Sequence, residues 1–215
     1  MALSTVGGQM KMYDCIQGSE EWYAARLGKV TASNFSAATS AGRGSAPSKT
    51  RKDYMLKLVA ERMTELPTES YSNKAMEWGS ETEQEAREYY EALNGCEVQQ
   101  VGFIERDGDT GGSPDGLVGA NGMLEIKCPF PTTHIRYILA DKMPAEYVKQ
   151  VQGNLWVAER QWCDFVSFDP RVKQRPYFSA RVYRDDDYIK ELHIKLVMFI
   201  DEMKTMLDSL TKAPF

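Results

Sequence analysis

The chain has 215 residues, of which 42% are hydrophobic and 27% charged, with a formal net charge of −5 and a pI near 5.2. These values suit one globular domain, expected over residues 1–215; the acidic balance argues mildly against a nucleic-acid binder but leaves room for a local basic channel. No apolar run reaches the roughly 18 residues that span a bilayer, and residues 1–10 lack a basic start followed by an apolar core, so a cytoplasmic location and no membrane partner are expected.

In chain order, Ser19 caps a short helix through Trp22 and Leu27 that stops at Gly28. A second short helix is expected over 31–38. Residues 40–48 are loop by composition and carry Arg43, leading into the basic group Lys49, Arg51 and Lys52, which is placed to meet phosphates. Ser48 then caps a helix over 48–64, and a longer helix over 73–94 follows, with Gly79 a possible break. A strand is expected over 96–105. Two more, at Leu117-Val118 and 123–127, are joined by a hairpin turn at 119–122. Helices over 132–140 and 145–159, strands over 162–168 and 177–183, and an amphipathic helix over 185–210 complete the pattern. Helices flanking a central mixed sheet give an α/β (α+β) class.

The chemistry concentrates in Ser113-Pro114-Asp115-Gly116 and Leu124-Glu125-Ile126-Lys127-Cys128-Pro129-Phe130. Side chains two apart on a strand share a face, so Glu125 and Lys127 project together while Ile126 turns to the opposite, apolar layer. The hairpin brings Asp115 beside Glu125, and two adjacent carboxylates repel unless a cation sits between them. Mg²⁺, with Mn²⁺ as a substitute, suits such oxygen ligands, and the Ile126 carbonyl is a further candidate ligand. Lys127 is placed to orient a water or to stabilise charge on a phosphoryl group, which points to a metal-dependent nuclease. The bland alternative is a turn aspartate with two solvent-facing strand residues.

Cys15, Cys96, Cys128 and Cys163 form no CxxC pair and are expected to be free thiols; His134 and His193 are too far apart in sequence to suggest a His-rich centre.

Four blocks in order make the pattern specific. They are Gln17-Gly18…Glu21-Trp22…Arg26-Leu27-Gly28…Thr31-Ala32-Ser33; Ala75…Trp78-Gly79…Glu83…Ala86-Arg87; the Asp115 and Glu125 segments; and Gln150-Val151-Gln152…Trp156-Val157…Asp169-Pro170-Arg171. With them the chain resembles the YqaJ-type viral recombinases, the lambda-exonuclease-like branch of the PD-(D/E)xK nucleases. The resemblance implies a Mg²⁺-dependent 5′→3′ exonuclease on linear double-stranded DNA, a ring-shaped homotrimer, and a phage single-strand annealing protein as partner in recombination.

It also implies that Asp115, Glu125, Lys127, Gln150 and Glu83 are catalytic, with Asp115, Glu125, Glu83 and the Ile126 carbonyl holding metal. Arg26, Ser33 and Ser113 match residues that bind the 5′-phosphate, and Arg43 matches a loop arginine that enters the DNA groove. Helical projection separates two glutamines: Gln150 shares a face with Tyr147 and Asn154, whereas Gln152 lies elsewhere and reads as structural. Trp22, Trp78 and Trp156 read as core. Tyr188, Leu192, Leu196 and Phe199 form an apolar stripe suited to core or subunit contact. Two other readings share some of these residues. A RecB-like or CRISPR-adaptation nuclease has a late cysteine cluster that this chain lacks. A catalytically silent DNA-end-binding scaffold has no need of both acids, the lysine and the glutamine.

Overall fold

The computed structural model describes residues 10–42, 48–68 and 74–212, and the side chains of these except 74–81. Arg43 therefore lies outside the described residues, as do the side chains of Ala75 and Trp78.

The chain begins with β1 (Lys11–Tyr13) and α1 (Glu20–Arg26). Ser19 caps α1 by accepting from the Trp22 amide, and Gly28 follows with a left-handed φ of 64°. A Cβ at Gly28 would come 2.6 Å from Arg62 Cγ, so both the conformation and the close approach call for glycine.

The helix expected over 31–38 is only partly helical. β2 (Val30–Thr31) comes first, then a 3-10 turn over Ala32–Asn34, and only α2 (Phe35–Ala38) is α-helical. Thr31 is drawn into a parallel pair with Gly111, so tertiary pairing overrides the local helical signal.

α3 (Lys49–Thr64) starts at Ser48, whose hydroxyl accepts from the Arg51 amide. α4 (Lys74–Asn94) runs unbroken through Gly79. The single strand expected over 96–105 divides into β3 (Val98–Gln99) and β4 (Phe103–Glu105), which belong to different sheets. Between them Gly102 passes so close to Cys15 that a Cβ would lie 2.3 Å from its carbonyl oxygen.

β5 (Thr110–Gly112), β6 (Gly116–Val118) and β7 (Gly122–Lys127) follow. Next come α5 (Pro131–Ala140), a 3-10 turn over Ala145–Tyr147, and α6 (Val148–Val157). The chain closes with β8 (Trp162–Phe168), β9 (Tyr177–Tyr183) and α7 (Asp186–Thr211).

Among the described residues the strands form two mixed sheets, in the orders β1-β4-β5-β2 and β3-β6-β7-β8-β9. β6 and β7 are an antiparallel hairpin, and β7 pairs in parallel with β8 through the crossover made by α5 and α6. Alternation along β7 then sorts its side chains. Leu124 and Ile126 join Ala86 and Tyr90 of α4 and Val166 and Phe168 of β8 in one buried cluster. Met123 joins Val151 and Leu155 of α6 and Leu196 and Phe199 of α7 in the other. Glu125 and Lys127 share the Met123 side, and so face α6. The stripe expected on α7 is core: Leu192, Leu196 and Phe199 are buried, with Tyr188 packed against them.

Among the described residues, no helix is long and apolar enough to cross a membrane.

Candidate active site

Asp115 sits just before β6. Its amide donates to the Leu124 carbonyl (3.1 Å), and its Oδ2 accepts from the Ile126 amide at 2.6 Å. The carboxylate thus continues the ladder where the β6 backbone turns away. The Ile126 carbonyl points to the same edge of β7 as its amide, past the end of β6.

Glu125 is fully buried. Its Oε1 accepts from Lys127 Nζ and from Gln150 Nε2, both at 2.5 Å, and its Oε2 lies 3.4 Å from Asn154 Nδ2. Gln152, by contrast, donates to the Tyr183 carbonyl at 2.9 Å and accepts from the Asp185 amide at 2.9 Å, tying α6 to the start of α7. The helical projection therefore separated the two glutamines as the structure does. Glu83 approaches from α4 and pairs with Arg87 at 2.6 Å.

These groups perturb one another strongly. Burial, with the charge of Asp115 adding to it, pushes both Glu83 and Glu125 up to about 7, although Arg87 and Lys127 pull Glu83 the other way and Lys127 does the same to Glu125. Burial also raises the Asp115 carboxyl. Burial opposes the Lys127 charge, but Glu125 and Asp115 outweigh it and keep the ammonium protonated far above neutrality. Three carboxyl groups thus face two cations, Lys127 and Arg87, and burial raises all three carboxyls. Among the described residues, no three Asp, Glu, His or Cys side chains already converge on one point as a finished cage. The donor set of Asp115, Glu125, Glu83 and the Ile126 carbonyl is nonetheless all oxygen and short of one positive charge. That is the chemistry of a hard divalent cation.

Arg26, Ser33 and Ser113 come together beside Asp115. They line a cavity of about 180 Å³ with Gln17, Trp22, Asp115, Gln150 and Asn154. Arg26 donates to Ser113 Oγ (3.3 Å) and Thr31 Oγ1 (3.4 Å), and its guanidinium lies 3.9 Å from the Trp22 ring centroid. Thr31 Oγ1 is 3.3 Å from Ser33 Oγ, completing a chain of hydroxyls. Burial lowers the Arg26 pKa to about 10. Among the described residues no carboxylate lies in ion-pair contact with it; its hydrogen bonds go to hydroxyls. A desolvated guanidinium with neutral partners is a site for an anion.

Three residues of this site were missed by sequence reasoning. Trp22 is half-buried, not core: its indole N–H donates to Ser113 Oγ (3.0 Å) and the Gly102 carbonyl (3.1 Å). Gln17 clamps the chain ahead of Asp115 by donating to the carbonyls of Val101 (3.0 Å) and Pro114 (3.1 Å). Asn154 shares the Gln150 face in the helical projection, and that shared face is the sequence signal for it.

Other expected contacts lie elsewhere. Lys49 pairs with Asp53 and Arg51 with Glu202, whereas Lys52 is exposed. His134 is buried between Ser167 and the Arg175 carbonyl, and His193 packs on Trp156. All four cysteines are free.

The acid–acid–lysine arrangement on a hairpin, backed by a crossover helix that supplies a glutamine, defines the PD-(D/E)xK nuclease fold. The model of the YqaJ-like viral recombinase domain matches residues 21–161, and the chain belongs to this family. It is similar to an alkaline exonuclease, LHK-Exo, from Laribacter hongkongensis: 40% identity over 90% of this chain and 97% of that one, with a TM-score of 0.82. The structure of LHK-Exo in complex with dAMP gives 41% identity, the same coverage and a TM-score of 0.83. A phage related exonuclease from Haemophilus somnus 129PT, 16% identical over 85% of this chain and 96% of that one, shares the fold with a TM-score of 0.65. No curated protein sequence matches the chain significantly.

Proposed function

We propose that this protein is a Mg²⁺-dependent 5′→3′ exonuclease that digests one strand of linear double-stranded DNA from 5′-phosphorylated ends. The observation that carries this reading is the half-buried, desolvated Arg26, whose hydrogen bonds among the described residues go to hydroxyls, in a cavity that also holds Asp115. Family membership and the exonuclease relatives support it. The dAMP complex of LHK-Exo is in keeping with a nucleoside monophosphate product.

In this mechanism the terminal 5′-phosphate docks on Arg26, with Ser113 and Ser33 as hydroxyl donors, while Trp22 fixes both Arg26 and Ser113. That anchor sets the next phosphodiester against Asp115 and Glu125. A divalent cation held by Asp115, Glu125, Glu83 and the Ile126 carbonyl would acidify a water and draw charge from the phosphoryl oxygens. Lys127 stays protonated, orients the attacking water and stabilises the negative charge that builds on the phosphoryl oxygens. Gln150 holds Glu125 in place. The new P–O bond forms to the water oxygen, which gives up a proton to solvent, and the P–O3′ bond breaks, with O3′ leaving as a hydroxyl after taking up a proton from solvent. The products are a 5′-mononucleotide and a strand shortened by one residue with a fresh 5′-phosphate, which is again the ligand for Arg26.

The reading extends to one nuclease domain over residues 1–215, a homotrimeric ring threaded by DNA, and a groove contact from Arg43. The exposed 3′ strand would pass to a phage single-strand annealing protein in the cytoplasm of a bacterial host. Light scattering on the purified protein tests the trimer. Digestion of 5′-phosphate, 5′-hydroxyl and closed circular duplexes with Mg²⁺ tests the activity; attack on closed circles would rule it out.

A further inference from the structure

We propose that Asn154 is a positioning residue that orients Glu125 for cation binding, in the space left by the missing side chain of Gly112. The assignment rests on the nuclease reading above and adds a residue to its site.

Asn154 lies one helical turn beyond Gln150, so α6 presents both amides to the same carboxylate. They divide its two oxygens. Gln150 donates to Oε1, together with Lys127, and Asn154 is the side-chain donor beside Oε2. Oε1 is already held twice at 2.5 Å, so rotation of the carboxylate plane is limited chiefly by the group at Oε2. Asn154 is 1% exposed, and its Oδ1 is buried without a hydrogen-bond partner. An unpaired buried acceptor is costly, and the cost is accepted where the other half of the side chain has work to do. Here the amide turns its N–H group to Glu125 and its oxygen to the backbone of β5.

Gly112 makes this placement possible. A Cβ there would stand 2.2 Å from Asn154 Oδ1 and 3.3 Å from Ala32 Cβ. Any larger residue would drive the amide off Glu125 or towards the Arg26 cavity, which Asn154 also lines. Outer groups that hold a metal-binding carboxylate typically contribute 10- to 100-fold in metal affinity.

The test is direct Mn²⁺ binding to the full chain, by titration calorimetry or by the EPR signal of free Mn²⁺, without DNA. Asn154→Leu keeps the volume and removes the donor; Asn154→Ala removes both; Gly112→Ala keeps Asn154 and displaces it. Each is expected to weaken Mn²⁺ binding by about 10- to 100-fold, while thermal melts show a folded protein. Because Leu fills the same space, a loss in Asn154→Leu is not a packing effect. Binding within twofold of wild type in a folded Asn154→Leu protein overturns the assignment alone. A wild-type protein that takes up no Mn²⁺ overturns both it and the nuclease reading.

Discussion

Arg26 offers the sharpest quantitative test of end recognition. Its guanidinium is desolvated, stacked on Trp22, and hydrogen-bonded among the described residues to Ser113 and Thr31. Hydrogen bonds to charged groups contribute about 1.5–3 kcal/mol, which corresponds to roughly a 10- to 150-fold preference for a 5′-phosphate over a 5′-hydroxyl. The assay is a cycle of two enzymes, wild type and Arg26→Ala, against two duplexes that differ only at the 5′ end, read as kcat/KM. The ratio between duplexes should fall from that range towards one in Arg26→Ala, almost wholly through the phosphorylated substrate. Arg26→Lys, which keeps the charge but loses the planar fork, should fall between. An Arg26→Ala enzyme that keeps the wild-type ratio would refute the reasoning, because the phosphate would then be held by something else.

Four further outcomes are expected. Asp115→Ala and Lys127→Ala should each abolish detectable nucleotide release in a Mg²⁺ digestion assay, and wild-type-like digestion by Lys127→Ala would remove the lysine from the mechanism. Metal uptake should strengthen with pH. Glu83 and Glu125 are raised to about 7, so a cation must displace protons below that value; losing one to two protons predicts on the order of 10- to 100-fold tighter Mn²⁺ binding at pH 8 than at pH 6, measured by calorimetry. The same shifts set the pH dependence of the metal-free protein. The folded state binds more protons than the unfolded state between the ordinary carboxyl range and about 7, so stability falls as pH rises through that window, and Tm should fall with it in differential scanning calorimetry. Gly153→Ala places a Cβ 2.5 Å from the buried Phe35 ring and should cost about 1–3 kcal/mol, seen as a lower midpoint in urea melts.

Where the sequence carries its own punctuation, the fold was readable. Ser48 and Asp185 start α3 and α7 as side-chain caps, and β8 and β9 are seven-residue runs rich in aromatic and branched residues. The short strands were not. Thr110-Gly111-Gly112 has no apolar alternation, and it becomes a strand because β4 and β2 flank it. The same long-range pairing turned the start of the expected 31–38 helix into β2. In the site, Asp115, Glu125 and Lys127 stood out because alternation along a strand and a hairpin turn suffice to bring them together. Gln17 and Trp22 act through contacts 80 or more positions away, with Val101, Gly102, Ser113 and Pro114, which no local period reveals. Asn154 was visible as a face but not as a function, since nothing local says which neighbour that face meets.

The most direct measurement follows a linear duplex with a 5′-phosphate and separate labels on the two ends of one strand, incubated with the wild-type protein and Mg²⁺. The account predicts that the 5′ label leaves first, as a mononucleotide, while the 3′ label stays on a shortening strand and the opposite strand becomes single-stranded. Release of the 3′ label first, or internal cuts in a closed circular duplex, would contradict it.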